Sequence, residues 1–463
     1  MNSLTDLISE LQEQFQKQEL QEQKECEFQD QENRSKLCSK TKKNCCTENN
    51  KSYTQDGKNG SLGIYAKSSG PYEQKNRQKT EENKGFQEID ARDELFQNCL
   101  NFKHFENGDF QQDFRLLRFL LQRISRKILL FKKNPKGKNW RTVSCMWSVI
   151  TDYLTVLHSL SMAKSYFGGL STCGSVWACP VCSSKISEKR KTEVVTASNL
   201  HKEVGGGLYM VTMTWAHSRH DDLQQMVNSS REALRKLRIR TAYLTNLKTI
   251  GYVGMIRSFE VTHGDVNGWH PHFHELWFVK EKLTDKQLFD WKRVLFEQWW
   301  KQCVKAKLGE PNRTVGITII EAESAAEYVS KFGRQPRWDV GSELTKHQKK
   351  NGKNGNRSPW DLLRLYGEGQ ERFAPLFYEY VSAFFGARQL YWSNGFKKLF
   401  GIADMTDEEI AQSNEDDVYE ICRISKEDWK KVLAQPYEAR TFILELAETG
   451  GTEAVQSFID SLS

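Results

Sequence analysis

The sequence predicts an α+β protein whose centre is a mainly antiparallel β-sheet flanked by helices. Three observations predict it. Four short runs, 208–215, 252–262, 272–279 and 315–320, are rich in β-branched and aromatic residues. Segments with apolar residues at helical spacing lie among them. Between the second and third runs, residues 263–269 carry Gly264, Asp265, Asn267 and Gly268, the residue types of a hairpin loop. The order strand, helix, hairpin, helix, strand, helix is that of an α+β domain.

Residues 1–110 are dominated by Gln, Glu, Lys and Asn. Such a segment buries too little apolar surface to offset the entropy of ordering, so it is expected to be largely disordered. Four of its cysteines, Cys26, Cys38, Cys45 and Cys46, are too irregularly spaced to suggest a metal. Over 111–131, Phe114, Leu117, Leu120, Leu121, Ile124 and Ile128 recur at helical spacing and predict the first helix. A basic loop with Pro135 and Gly137 follows, then a mixed segment to about 170. A cysteine cluster at 173–182 runs into a charged helix, 184–203. Asp221 and Asp222 open a helix on which Leu223, Met226, Val227, Leu234 and Leu237 share a face. Helices are expected at 284–306 and 322–332, and the part from 358 onward reads as helical. Five regions result: a disordered 1–110, a helical and Cys-rich 111–204, a central domain 205–340, a basic loop with a helical extension 341–402, and an acidic helical tail 403–463.

Of the 463 residues, 38% are hydrophobic. The 350 or so that follow the polar N-terminal region are ample for one sizeable core with additions. The net charge of +7 is compatible with nucleic acid without demanding it. Its placement says more: Lys132, Lys133, Lys136, Lys138 and Arg141 form one group, and Lys346, Lys349, Lys350, Lys353 and Arg357 another. Each is either a solvated loop or a phosphate contact. The acidic and polar residues 1–14 do not read as a signal peptide, and no apolar run approaches the roughly 20 residues of a spanning helix. Eleven cysteines, several at metal-ligand spacing, fit a cytoplasmic protein with free thiols and a zinc site better than a secreted disulfide scaffold.

Three constellations carry chemistry. In the run Cys173-Gly-Ser-Val-Trp-Ala-Cys179-Pro-Val-Cys182, the Cys-x-x-Cys pair lets two thiolates face one tetrahedral ion across a turn set by Pro180. Cys173 can close on the same ion, and soft thiolates select Zn²⁺ in a structural role. Cys145 is the chosen fourth ligand and His158 its substitute; buried thiols without metal are the alternative. In the run from Trp269 to Trp277, His272 and His274 are two apart on a strand and so point to one side, with Phe273 toward the core. His270, next to Pro271 at the strand entry, is a weaker candidate. Glu260 on the partner strand supplies a third ligand suited to Mg²⁺ or Mn²⁺, with His263 as its alternative. Finally, Tyr328 and Lys331 lie three apart on one helical face, where an ammonium favours the phenolate.

These elements, in this order, resemble the plasmid rolling-circle replication initiators of the histidine-hydrophobic-histidine endonuclease superfamily. The resemblance covers about 140–402. Cys173–Cys182 is similar to the family's cysteine signature, 210–215 to its first strand motif with His217 and His220 after it, and 258–264 with 269–274 to its metal-binding hairpin. Residues 343–346, 357–363 and 388–392 also resemble family members. The resemblance implies an endonuclease-like α+β fold preceded by a zinc-binding subdomain, with a helical C-terminal part. It implies a metal-dependent nickase in which Tyr328, aided by Lys331, attacks single-stranded or cruciform plasmid origin DNA. A 5′-phosphotyrosine and a free 3′-hydroxyl primer result. Lys346, Lys349, Lys350 and Arg357 would hold the DNA backbone. Host helicase and DNA polymerase are the implied partners, with no membrane and with a homodimer left open. No G-x-x-x-x-G-K-[ST] phosphate loop is present to supply unwinding. The sequence departs from some members in having Ser324 where a glutamate precedes the tyrosine by one turn, and Phe332 where a second tyrosine would stand. A related nickase for mobilisation or transposition, and a non-catalytic zinc-containing DNA-binding protein, are the rival readings.

Overall fold

The computed structural model describes residues 110–322, 356–413, 417–435 and 438–462. The N-terminal region and residues 323–355, with Tyr328, Lys331, Lys346, Lys349 and Lys350, lie outside the described residues. The first helix, α1, spans Phe110–Leu129 and buries Leu117, Leu120, Leu121 and Ile128 on one face. A hairpin follows, β1 (Leu154–Ser159) with β2 (Lys164–Gly168), then α2 (Pro180–Glu203) and β3 (Gly207–Met213). Helix α3 (Leu223–Arg238) starts where the Asp222 carboxylate accepts the Gln225 N–H at 2.7 Å. After α4 (Thr241–Thr249) come the long hairpin strands β4 (Tyr252–Gly264) and β5 (Gly268–Val279). Helix α5 (Asp285–Lys305), opened by a Thr284–Gln287 capping box, leads to β6 (Ile317–Glu321). Then follow α6 (Pro359–Gly367), α7 (Phe373–Ala383), β7 (Leu390–Trp392), α8 (Asp407–Gln412) and β8 (Val418–Ile424). Three helices finish the described chain: α9 (Lys426–Ala434), α10 (Ala439–Thr449) and α11 (Gly451–Asp460).

The architecture is α+β with antiparallel sheets. The larger sheet has the order β6-β3-β5-β4-β7. Its two faces are dictated by the period-two alternation of β5. Phe273 and Trp277 point to one side and meet Trp215, Trp291 and Trp299, the last two from α5. Leu276 and Phe278 point to the other, where Phe278 packs on Phe396 and on His201 of α2. His272 and His274 continue this second face toward the hairpin tip. One end of the face is apolar and covered; the other carries the polar group described below.

The hairpin differs from the sequence expectation. Its loop is only 265–267, and His263, Gly264, Gly268 and Trp269 belong to the strands. Pro271 does not interrupt β5, although β5 is a central strand. The β3 partner ends at Met213 opposite Phe273, so the missing N–H of Pro271 falls where β5 has no neighbour on that side. Gly268 takes φ +68° and its Cα lies so close to Arg219 that a Cβ would fall 2.7 Å from the arginine Cα.

A smaller sheet, β2-β1-β8, was not foreseen. The expectation that 403–463 is purely helical is corrected by β8, which pairs Val156 with Cys422, and the mixed segment before 170 holds β1 and β2. Glu420 and Arg423 on β8 blur its alternation, and its partner is more than 250 residues away in sequence. The last helices pack here too: Trp429 of α9 meets Phe167 at 5.1 Å and donates from Nε1 to the Trp147 carbonyl. Among the described residues no helix is long and apolar enough to cross a membrane.

Candidate metal centres

The four cysteines singled out by spacing, Cys145, Cys173, Cys179 and Cys182, converge in a buried cluster. Each arrives from a different local device. Cys145 follows a short 3-10 turn, Arg141–Val143, and the next residue, Met146, is held at φ 52°, a strained angle for a side chain with a Cβ. Gly174, at φ +63°, lets the chain turn sharply after Cys173; a Cβ there would lie 2.9 Å from Glu408. Cys179 is the N-cap of α2, its sulfur accepting the Cys182 N–H at 3.5 Å, and Cys182 sits in the first turn.

The sulfur separations are 3.6 Å for Cys145–Cys179, 3.5 Å for Cys145–Cys182 and 3.7 Å for Cys173–Cys182. Four thiolates about 2.3 Å from one ion at tetrahedral angles stand about 3.8 Å apart. The cluster fits that ion. Burial, with its neighbours' hydrogen bonds, pushes the Cys179 thiol up, whereas hydrogen bonds from Cys145, Cys173 and Cys179 draw Cys182 down. A dry group of four sulfurs becomes anionic only if a cation accompanies it. His158 is elsewhere, on β1, with Nδ1 3.1 Å from Ser165 Oγ.

Behind the cysteines lies a buried polar network that sequence reasoning missed. Gln122 of α1 donates to the Cys145 carbonyl at 2.8 Å and toward Cys179 Sγ at 3.9 Å. Its own carbonyl accepts from Arg440 at 2.7 Å. Arg440, fully buried, pairs with the equally buried Glu438 at 2.5 and 2.9 Å. Burial raises the Glu438 pKa, but Arg440 and then Arg123 outweigh it and hold the carboxyl below its ordinary range. Only the tertiary fold shows this link, because Gln122 and Arg440 are far apart in the chain.

The second group is built by strand register. Glu260 on β4 lies opposite His272 on β5, Ser258 opposite His274, and Thr212 of β3 opposite His274 from the other side. All therefore share one face. Both imidazole Nε2 atoms stand 3.6 Å from Glu260 Oε2. Ligands about 2.1 Å from one ion lie about 3.0 to 3.6 Å apart, depending on angle. Glu260, His272 and His274 could thus hold a divalent ion.

Their remaining atoms are already engaged. His272 Nδ1 donates to the His270 carbonyl at 3.2 Å, which leaves its Nε2 lone pair free for a cation. His274 Nδ1 is 2.9 Å from Thr212 Oγ1, and Glu260 Oε1 accepts from Ser258 Oγ at 3.0 Å. This is the outer-shell arrangement that orients ligands toward a metal. Two imidazoles and one carboxylate leave coordination positions open to a substrate. Thr212 and Ser258 lie within the resembling motifs 210–215 and 258–264, but the sequence assigns neither a role; the register does.

Among the described residues the other histidines fall outside the group. His270 Nδ1 is 2.6 Å from His217 Nε2, and burial followed by the charge of His272 lowers the His270 pKa to about 3. His263, offered as an alternative ligand, packs edge-on to Trp269, and its backbone bridges that of Arg357. The Arg357 guanidinium donates to Asp265 at 2.7 Å and stands over the Phe373 ring, so this residue clasps the hairpin tip to the chain that follows 355.

The fold and these two groups define an α+β protein with one closed, all-sulfur cluster and one open histidine–carboxylate group on an antiparallel sheet. The comparisons give the particular family. The chain belongs to the replication protein family, whose model matches residues 169–435. It is similar to the "Protein rep" of Streptomyces lividans, 28% identical over 298 residues that cover 50% of this chain and 64% of that protein. It is also similar to a "Neomycin resistance protein" of Streptomyces cyanogenus, 33% identical over 135 residues, 24% of this chain and 31% of that one. The chain thus spans less than two thirds of either relative. No solved structure matches.

Proposed function

We propose that this protein starts plasmid rolling-circle replication by cutting one DNA strand, with Tyr328 as nucleophile and Glu260, His272 and His274 as the metal-binding group. The observation that carries the reading is the convergence of those three side chains within 4.8 Å on a sheet of a replication-family protein. Mg²⁺ or Mn²⁺ bound there supplies positive charge that polarises a non-bridging oxygen of the scissile phosphate. Thr212 and Ser258 keep the ligand atoms aimed, so the phosphate is gripped without reorganisation.

The chain that carries Tyr328 is attached on both sides of this group. Ala322 N–H bonds to the Leu208 carbonyl, opposite Phe278, and Arg357 bridges His263, opposite Trp269. His272 and His274 lie between those two levels of β5. Residues 323–355 need to span about 30 Å, and extended chain of that length reaches far more. Lys331, three residues after Tyr328 in the sequence, is the cation assigned to favour the phenolate. Its oxygen forms a bond to phosphorus, the bond from phosphorus to the 3′-oxygen breaks, and that oxygen takes up a proton. The phosphodiester energy stays in the tyrosyl ester, so the reverse reaction rejoins ends without ATP. In this reading the four-cysteine cluster holds a structural Zn²⁺ in a subdomain of its own, and the sheet is that of the histidine-hydrophobic-histidine endonucleases.

The test is incubation with end-labelled single-stranded oligonucleotides tiling the DNA beside the coding sequence, with Mn²⁺. A covalent adduct that maps to Tyr328, and disappears with chelator and in Tyr328→Phe, is expected. An adduct that survives in Tyr328→Phe assigns the nucleophile elsewhere. Salt-sensitive DNA binding without any adduct favours the non-catalytic reading.

A further inference from the structure

The lysine-rich turn after α1 is absorbed by neither metal group. Phe131 is 90% exposed, and Lys132, Lys133, Lys136 and Lys138 beside it are all exposed. Among the described residues none of the four lysines has a carboxylate within ion-pair distance. The turn is nevertheless well built. The Asn134 carboxamide oxygen accepts the N–H groups of Lys136 and Lys138 at 2.9 and 3.2 Å. Lys133 and Asn139 form a β-bridge, with Lys133 Nζ 2.7 Å from Asn139 Oδ1. Tyr378 of α7 clamps the turn by donating to the Lys133 carbonyl at 2.8 Å, and Lys132 Nζ stands 5.6 Å from the centre of the Tyr378 ring. The buried Trp140 ends the turn edge-on to Tyr378 and Phe385. A merely solvated loop needs neither this clamp nor a bare aromatic ring at its start.

We infer that residues 131–138 form a second DNA contact, which grips the phosphate backbone of a single strand through Lys132, Lys136 and Lys138 and stacks an unpaired base on Phe131. Fixed positive charge without a carboxylate partner among the described residues complements a polyanion, and an exposed ring beside it is the pattern of single-strand binding. The inference rests on the proposed function, which supplies the strand. Helix α7 links the two places: Tyr378 holds the turn, while Tyr380 stacks on Trp269 near the tip of the metal-bearing hairpin. Turn and hairpin are therefore mounted on one helix, whose diameter is about 10–12 Å.

The experiment measures binding of a labelled 20-nucleotide single strand by fluorescence anisotropy across a salt series, on the full chain. Each phosphate contact on a single strand contributes about 0.7 to the log–log salt slope. The triple variant Lys132→Gln, Lys136→Gln, Lys138→Gln should lower the slope by about 2, with zinc content and melting temperature unchanged. The triple Lys→Arg variant should retain the wild-type slope. Phe131→Ala should weaken binding roughly tenfold while leaving the slope as it was. An unchanged slope in the glutamine variant overturns this inference and leaves the nickase reading standing. A wild-type chain without salt-sensitive DNA binding overturns both. If the glutamine variant loses affinity for phosphatidylglycerol vesicles and keeps it for DNA, the turn meets a lipid surface and the inference fails.

Discussion

The two candidate metal groups invite comparison because they solve opposite problems. The cysteine cluster is gathered from two loops and a helix start, all four sulfurs are buried, and its surroundings are tied to the C-terminal helices through Gln122 and Arg440. The histidine group is laid out by the alternation of neighbouring strands, its imidazoles keep 13% of their surface, and its outer partners are small hydroxyls. A closed set of four soft donors suits a structural ion. Three donors on an open face leave room for a phosphate oxygen. Side by side, they differ in donor number, donor softness and accessibility, the properties on which the proposed division of roles rests.

The comparison can be broken by substitutions of decreasing expected effect. Cys182→Ser should have the largest, because a structural zinc is worth on the order of 10 kcal/mol of folding free energy. Elemental analysis should find no zinc in it, and its cooperative thermal transition should vanish. The double variant His272→Ala with His274→Ala should instead fold normally, with zinc and melting temperature retained. Its nicking rate should fall on the order of 10³-fold, as several kcal/mol of charge stabilisation are lost. If the two variants behave alike, the contrast is wrong.

Glu438→Gln tests the network behind the cysteines. Breaking a buried ion pair from one side costs about 3–5 kcal/mol, readable by urea denaturation. The pH dependence has a definite sign. The folded pKa of Glu438 lies below its ordinary value, so its contribution is full above about pH 4.3 and is lost as pH falls through the depressed folded value. The wild type should therefore lose stability more steeply than Glu438→Gln below that pH. Thr212→Val, the mildest change, should weaken Mn²⁺ binding about 10- to 100-fold by releasing His274, and leave zinc content alone.

Much of the chemistry was legible in the sequence because it is local. Cys179 and Cys182 are joined by one helical turn, and His272 and His274 by one strand repeat, so spacing alone places each pair together. Cys145, read from its residue type, and Glu260, read from the hairpin, stand beside those pairs in the fold. What was illegible depends on contacts between distant segments. The β1–β8 pairing, the Gln122–Arg440–Glu438 network and the Thr212–His274 contact leave no periodic trace. The hairpin loop was overestimated for another reason: Gly264 and Gly268 carry loop composition yet sit in strands, Gly268 because nothing larger passes Arg219.

The most direct test of the contrast is a metal count before and after exhaustive dialysis against EDTA, followed by Mn²⁺ titration read by electron paramagnetic resonance. One tightly held zinc per chain that survives dialysis is expected, together with one exchangeable Mn²⁺ site that disappears in the variant lacking His272 and His274. Zinc that leaves with the chelator while the fold persists, or Mn²⁺ binding that survives the loss of both histidines, would contradict the account.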